Sequence, residues 1–306
     1  MKIYIKKPQI QGAWKWIQEG YKNAWIDLGF EAEYYDRLSN LSSLKDEYAL
    51  MVRDWDIETV KDLEIINNSK KTYFFAQPNT FPHPWGHHPN FISHCKDEII
   101  DNLNAMNNVH LWSFCDVGET QQKQFYHKWK KVNTIPLAFD SSNYTPTKAN
   151  RMLYDVCYIG GWANNGFNEK RQIMIKTFSA FKDTNLKCGF FINKNLSHEQ
   201  ELSVLHNSKI CLNIHDNYQR QLGLDTNERT FKSLGLNGLL VSDKVTQLTN
   251  LFPEVGSTND PQEMVKKCID LLSLSDKNLT DLKQENIQNI LGNHCYTHRA
   301  EKLLEL

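Results

Sequence analysis

Two stretches of this 306-residue chain gather side chains that can do chemistry. The first is Gln77-Pro-Asn-Thr-Phe-Pro-His-Pro-Trp-Gly-His-His-Pro89, with four prolines, three histidines and two aromatics. Imidazole titrates near neutrality, so His83, His87 or His88 can orient a hydroxyl or take its proton. A structural Pro-rich loop with exposed histidines is the equally open alternative. The same histidines, with His94 and Cys95, are metal-ligating types, but their spacing matches no common zinc pattern, and no metal is expected. The second stretch is Asp225-Thr-Asn-Glu228-Arg229. Glu228 can accept hydrogen bonds from ligand hydroxyls, or it can close a D-x-x-E capping box; its several lone pairs allow both.

Smaller signals surround these. Gly160-Gly161 follows an apolar strand and precedes a helix. Such a pair lets backbone N–H groups approach an anion at a helix N-terminus, or simply makes a tight turn. Arg171 early in that helix and Lys194 after Phe190-Phe-Ile192 can add cations or stay solvated. Asn213 and His215 close the buried run Ile210-Cys-Leu-Asn-Ile-His, and Tyr218, Gln219 and Arg220 are read as the loop that follows. Lys123, Phe125, Tyr126, Lys128, Trp129, Lys130 and Lys131 mix cations with aromatics. That face suits peripheral contact with a membrane, a glycan or nucleic acid, or it is one apolar helix stripe beside a solvated one.

These residues need strands and helices to hold them. Lys2–Lys6 reads as an opening strand, and Trp14, Ile17, Tyr21, Ala24 and Leu28 repeat at helical spacing up to Gly29. Strands follow at 31–36, 48–52, 72–76 and 109–114, with helices over 57–67 and from after 114 to about Lys130. The run 141–151 is polar and turn-rich and reads as a connection between domains. Beyond it, strands are expected at 154–159, 187–192, 210–214 and 238–241. Helices are expected at 168–181, 198–205, 227–234, 261–272 and 279–291. This alternation predicts an α/β chain of two doubly wound, parallel domains, 1–140 and 141–306, facing across a cleft, with the last helix packing back on the first domain.

Composition sets limits. The formal net charge of −1 gives a nucleic-acid partner no support. Mean hydropathy is −0.57, and no apolar run is long enough to span a bilayer. Met1-Lys-Ile-Tyr-Ile-Lys-Lys reads as a strand rather than a signal segment, so a cytoplasmic location is expected. Seven scattered cysteines, none in a CxxC pair, read as reduced thiols.

The second half also resembles a known family. Asp155-Val-Cys-Tyr-Ile-Gly-Gly161, Leu212-Asn-Ile-His215, Thr226-Asn-Glu-Arg-Thr-Phe231, Gly238-Leu-Leu-Val-Ser-Asp243 and Tyr296-Thr-His-Arg299 are similar, in order and spacing, to motifs of group-1, spore-maturation (CgeB-type) glycosyltransferases. The resemblance covers roughly residues 133–303. It implies the GT-B fold and a nucleoside-diphosphate sugar held by the C-terminal domain. The acceptor would be a glycan, a lipid-linked sugar or another hydroxyl compound. It also implies retention of anomeric configuration and no divalent metal or other cofactor.

Under that resemblance Glu228 meets the donor sugar or ribose. Gly160, Gly161, Arg171 and Lys194 meet the diphosphate. Asn213, His215, Thr226, Asn227 and Arg229 complete the donor site; from its own chemistry rather than from the resemblance, a loop histidine, His87 or His88, is the candidate to serve the acceptor. Many relatives carry a second glutamate where this chain has Lys232, and a cation cannot accept a hydrogen bond from ribose. Lys232 then serves the phosphates, or ribose is met differently. Two alternatives to transfer stay open: a sugar-nucleotide epimerase or hydrolase of the same fold, and a non-catalytic sugar-nucleotide-binding protein.

Overall fold

A computed structural model describes residues 1–8, 13–44, 46–87, 91–145, 152–162 and 169–306. The chain divides into two compact units: Met1–Pro136 with Tyr296–Leu306, and Leu137–Cys295.

In unit 1 the strands are β1 (Lys2–Lys6), β2 (Glu31–Tyr35), β3 (Tyr48–Arg53), β4 (Lys71–Phe75), β5 (Val109–Ser113) and β6 (Val132–Thr134). Its helices are α1 (Ala13–Asp27), α2 (Lys61–Asn68), α3 (Asp97–Ala105) and α4 (Glu119–Phe125). The strands form one parallel sheet in the order β2-β1-β3-β4-β5-β6. All six residues of β3 are buried, as a central strand covered on both faces requires. Ile17, Tyr21, Ala24 and Trp25 form the buried stripe of α1. Gly29 closes that helix at φ +85°, a conformation that glycine adopts without a Cβ clash.

Two expectations fail here. The helix read as running to about Lys130 ends at Phe125. The chain then turns so that Tyr126 and Trp129 enter the core, at 0% and 3% exposure, while Lys128 pairs with Asp97 at 2.6 Å. Those aromatics are therefore core residues, not part of a mixed surface for a membrane or polyanion. The helix expected over 57–67 begins at Lys61, because Asp54–Asp56 forms a 3-10 turn first. The C-terminal helix α12 (Tyr296–Leu304) belongs to unit 1. Tyr296 lies so close to Gly20 of α1 that any Cβ there would collide with its ring, and Arg299, 2% exposed, donates to the Pro136 carbonyl at 3.0 Å. Both residues therefore act as packing elements in this unit.

Unit 2 holds β7 (Tyr154–Gly160), β8 (Cys188–Ile192), β9 (Ser208–Asn213), β10 (Leu240–Ser242) and β11 (Gly256–Ser257). They are parallel, in the order β11-β10-β9-β7-β8. The helices are α5 (Glu169–Ala180), α6 (His198–His206), α7 (Asn217–Leu222), α8 (Glu228–Leu236), α9 (Thr246–Leu251), α10 (Pro261–Leu272) and α11 (Asp276–Asn293). The stretch read as a loop at 218–220 is the short helix α7, whose Gln219 side chain accepts from the Asp216 N–H at 3.1 Å. Among the described residues no helix is long and apolar enough to cross a membrane.

Candidate functional site

In an open parallel sheet, ligands bind beyond the carboxyl ends of the strands where the strand order reverses. In unit 2 the reversal lies between β7 and β9: the chain passes from β7 outward to β8, then returns to β9 on the other side. Residues that the sequence singled out gather there.

Arg229, in the first turn of α8, occupies that point. Its Nε donates to the Ile159 carbonyl of β7, and its Nη1 donates to Asn213 Oδ1 of β9 at 2.9 Å. Its guanidinium stands over the Tyr158 ring, 5.0 Å from the centroid. Gly160 is glycine for this reason: a Cβ there would run into the Arg229 guanidinium. Gly161 likewise makes room for Asn193, whose Oδ1 accepts from the Trp162 N–H at 3.2 Å.

Below Arg229 runs a continuous chain of buried hydrogen bonds. Asn213 Nδ2 donates to Thr230 Oγ1 at 2.9 Å and to Asn227 Oδ1 at 3.0 Å. The hydroxyls of Thr230 and Thr226 are 2.6 Å apart, and Thr226 Oγ1 lies 2.8 Å from His215 Nε2. His215 Nδ1 lies 2.6 Å from Asp243 Oδ1, and the His215 N–H also reaches that carboxylate. Asp243 is deeply buried, which pushes its pKa up, but His215 and Arg220 outweigh burial and hold it below the usual carboxylate value. An ionised Asp243 has no proton to give, so Nδ1 of His215 carries the hydrogen. His215 Nε2, Thr226 Oγ1 and Thr230 Oγ1 continue the line of hydrogen bonds back to Asn213. The hydrogen bonds run without a break from Arg229 through Asn213, Thr230, Thr226 and His215 to Asp243. Such a fully satisfied network holds its members rigidly. Its effect is to fix the orientation of Arg229.

Charge is balanced around this point. Arg220 Nε lies 3.5 Å from Asp243 Oδ2, and Lys170 Nζ lies 3.3 Å from Asp216 Oδ1. Burial lowers the pKa of Lys170; Asp216 opposes that shift and Arg229 adds to it. Asp225 is buried as well, and desolvation raises its carboxyl to about 6, although Gln219 donates to it at 2.7 Å.

Several expectations about individual residues change. Asn227 stands at the N-cap position of α8 without a side-chain cap bond and the helix starts at Glu228, so the Asp225–Glu228 capping box does not form. Glu228 instead pairs with Lys232 at 2.5 Å, and Lys232 lies 3.4 Å from Glu201. Lys232 is 6% exposed, stands over the Tyr144 ring at 4.7 Å and lies between the two carboxylates. His215 and Thr226 are 0% exposed, beneath the site rather than on its surface. Arg171 is exposed and lies 5.5 Å from the Trp162 ring, while its neighbour Lys170 is the buried cation. Lys194 is exposed in the turn after β8. His88 lies outside the described residues, as do 163–168 between β7 and α5; of His87 the structure describes the backbone alone, in the 3-10 turn Trp85–His87. Among the described residues no three His, Cys, Asp or Glu side chains come together as a metal site.

The sequence reading missed Lys170, Thr230 and Asp243. Asp243 carried a usable signal, since it follows an apolar strand directly, at the end where ligands bind. Thr230 carried one only in retrospect, one turn beyond Thr226 in the first turn of α8. Lys170 and Arg171 cannot be told apart without the helix phase.

Residues 163–305 match the family described as glycosyl transferase-like. A search of curated proteins gave no match. Among solved structures, an alpha-glucosyltransferase in complex with UDP aligns with 99% of this chain and 99% of its own, at TM-score 0.62 and 13% identity. The DNA-modifying enzyme beta-glucosyltransferase aligns over 100% of both chains at TM-score 0.58 and 10% identity. The alpha,alpha-trehalose 6-phosphate synthase of Burkholderia multivorans aligns over 88% of this chain and 72% of its own, at TM-score 0.54 and 11% identity. Likeness at such identities is one of fold, and the fold is GT-B: two Rossmann-like α/β units, each with a parallel sheet.

Proposed function

We propose that this chain is a glycosyltransferase that binds a nucleoside-diphosphate sugar at the β7/β9 reversal of unit 2 and transfers the sugar to a hydroxyl acceptor. The observation that carries this is Arg229, a half-buried cation fixed in one orientation at the strand ends, within the segment that matches the glycosyl transferase-like family. As the bond to the sugar breaks, charge grows on the departing diphosphate, and preorganised cations and N–H groups stabilise it without reorganising. On this reading Arg229 and Lys170 meet the diphosphate, aided by the first N–H groups of α8. These groups take the role of a divalent ion, so transfer continues in EDTA. Glu228, beside Lys232, accepts a hydrogen bond from a donor hydroxyl. Retention at the anomeric carbon and kinship with the spore-maturation enzymes belong to the same reading, and the sequence motifs support both.

Thermal-shift and calorimetric titration with UDP-, GDP-, dTDP-, ADP- and CMP-sugars tests it. One nucleotide series should bind and stabilise the protein, and Arg229→Ala should abolish the shift. Absence of any shift across all five series would sink the proposal. The Glu228–Lys232 pair favours one rival, a sugar-nucleotide-binding protein without turnover. Tight donor binding with no product across a broad acceptor panel, and no effect of Glu228→Gln on affinity, would favour that rival.

A further inference from the structure

Unit 1 has its own reversal of strand order, between β1 and β3. Under the first half of α1, at the carboxyl ends of these strands, lies a cavity of about 20 Å³. Gln18, Tyr21 and Trp112 line it and are 5%, 1% and 2% exposed. Gln18 Oε1, the Tyr21 hydroxyl and Trp112 Nε1 are all buried without a hydrogen-bond partner in the protein. Buried polar groups are rarely left in that state, and three around one cavity mark a place for a polar guest. The volume admits one oxygen atom with its hydrogens and little more. A hydroxyl matches the three groups: it accepts from Trp112 Nε1 and from the Tyr21 hydroxyl, and donates to Gln18 Oε1.

The outer wall is aromatic and electrically neutral. Trp14, half-buried, packs on Phe75 at 5.0 Å and on Phe114 at 5.6 Å. The Arg53 guanidinium lies 4.6 Å from the Trp14 ring and 5.6 Å from Trp55, and its charge is matched by Asp56 at 2.9 Å.

We propose that this is a carbohydrate subsite for the acceptor. A sugar ring lies with its C–H face against Trp14, beside the edge-on Trp55 (6.3 Å, 89°), and one non-reacting hydroxyl enters the cavity in place of a water. The assignment of the sugar as acceptor rests on the glycosyltransferase reading above; the binding of a sugar here does not. A nucleobase fits less well, because its edge spreads donors and acceptors along a plane, whereas this cavity takes a single oxygen. A nucleic acid would also bring phosphates to a wall where Arg53 is already neutralised.

Saturation-transfer NMR on the full chain, with D-glucose, D-galactose, D-mannose and N-acetylglucosamine as probes and no nucleotide present, tests this. At least one sugar should bind in the millimolar range. Gln18→Leu and Trp112→Phe should each weaken it roughly three- to tenfold, the loss of one hydrogen bond. Trp14→Ala should remove it. Circular dichroism and melting check folding; if Trp112→Phe does not fold, the other two variants decide. A crystal of the free protein should show one ordered water within hydrogen-bond distance of all three polar atoms, and a dry cavity would overturn the assignment. So would the absence of binding by every sugar, or binding unchanged in all folded variants. Binding of a single-stranded oligonucleotide that Trp14→Ala removes, with no sugar bound, would assign the site to nucleic acid instead. UDP titration of wild type and Arg229→Ala reads unit 2 separately, so a failure of the donor site is not confused with a failure here.

Discussion

The two strand-order reversals of this chain occupy the same topological position and have opposite chemistry. At β7/β9 the side chains are Arg229, Lys170, Asp243 and a line of hydroxyls and amides whose hydrogen bonds are met within the protein. At β1/β3 they are tryptophans, a phenylalanine and three buried polar atoms without protein partners. A network already satisfied holds a charge still, which suits an anion whose charge grows during reaction. An unsatisfied cavity under aromatic rings suits a neutral guest that brings its own hydroxyl. Topology supplies the place, and the side chains decide what binds there.

The comparison breaks most visibly at Arg229. Arg229→Ala removes the fixed cation and leaves unit 1 untouched. We expect kcat/KM to fall on the order of 10³-fold, about 4 kcal/mol, with sugar binding to unit 1 unchanged. Steady-state kinetics beside sugar titration checks both halves. A loss under tenfold would remove Arg229 from the diphosphate.

Lys232→Met comes next, and its effect is on stability. The lysine side chain is 8% exposed and stands between Glu228 and Glu201, which are 14% and 17% exposed. Removing it leaves two nearly buried carboxylates without their cation, a change that costs roughly 3–5 kcal/mol when one partner of a buried pair is deleted. Urea melts of the variant should show it, and Lys232→Met/Glu201→Gln should recover part of the loss. Full stability in Lys232→Met would mean that the pair is solvated in solution.

How much of this was legible beforehand depends on the kind of information. The alternation of strands and helices was readable because parallel strands are continuous apolar runs and the helices carry apolar stripes. The ends of elements were less so: α4 stops at Phe125 because Tyr126 and Trp129 are needed in the core, a tertiary demand that periodicity does not register. The positions of Asn213, Thr226 and Arg229 were marked by their motifs, and the structure brings them together. Their geometry was not readable. Whether Glu228 caps its helix or pairs with Lys232 turns on where α8 starts, a matter of two residues. Whether His215 faces a ligand or lies beneath it turns on the burial of one strand end. The unit 1 cavity gave no signal at all, since Gln18, Tyr21, Arg53 and Trp112 are scattered over three elements.

Asp243→Asn tests the hydrogen-bond chain below Arg229. An amide at 243 can offer an N–H where the chain needs an acceptor, and it removes the charge that fixes the His215 tautomer. We expect about 1–2 kcal/mol of destabilisation and roughly tenfold lower activity, with nucleotide affinity falling in parallel. A His215 nitrogen spectrum that is identical in wild type and variant would show that Asp243 does not set the tautomer.

The smallest effect is at Asp225, and it separates the two regions by pH. Its carboxyl rises from an ordinary 3.8 to about 6, with burial the main cause. A group whose pKa is raised on folding binds its proton more tightly in the native state. Its contribution to stability is therefore complete below about pH 4 and is lost as pH rises through 6. Asp225→Asn keeps the acceptor that Gln219 needs and has no proton to lose. The variant should match wild type near pH 4 and exceed it by about 1–2 kcal/mol at pH 7.5, somewhat less than the full shift implies. Urea melts at the two pH values measure the difference. Sugar binding at unit 1 should not move with the variant at either pH, because Asp225 belongs to unit 2. A stability gap that is the same at both pH values would mean that Asp225 is ionised and paired throughout, and the loop leading into α8 would then not sense pH in this range.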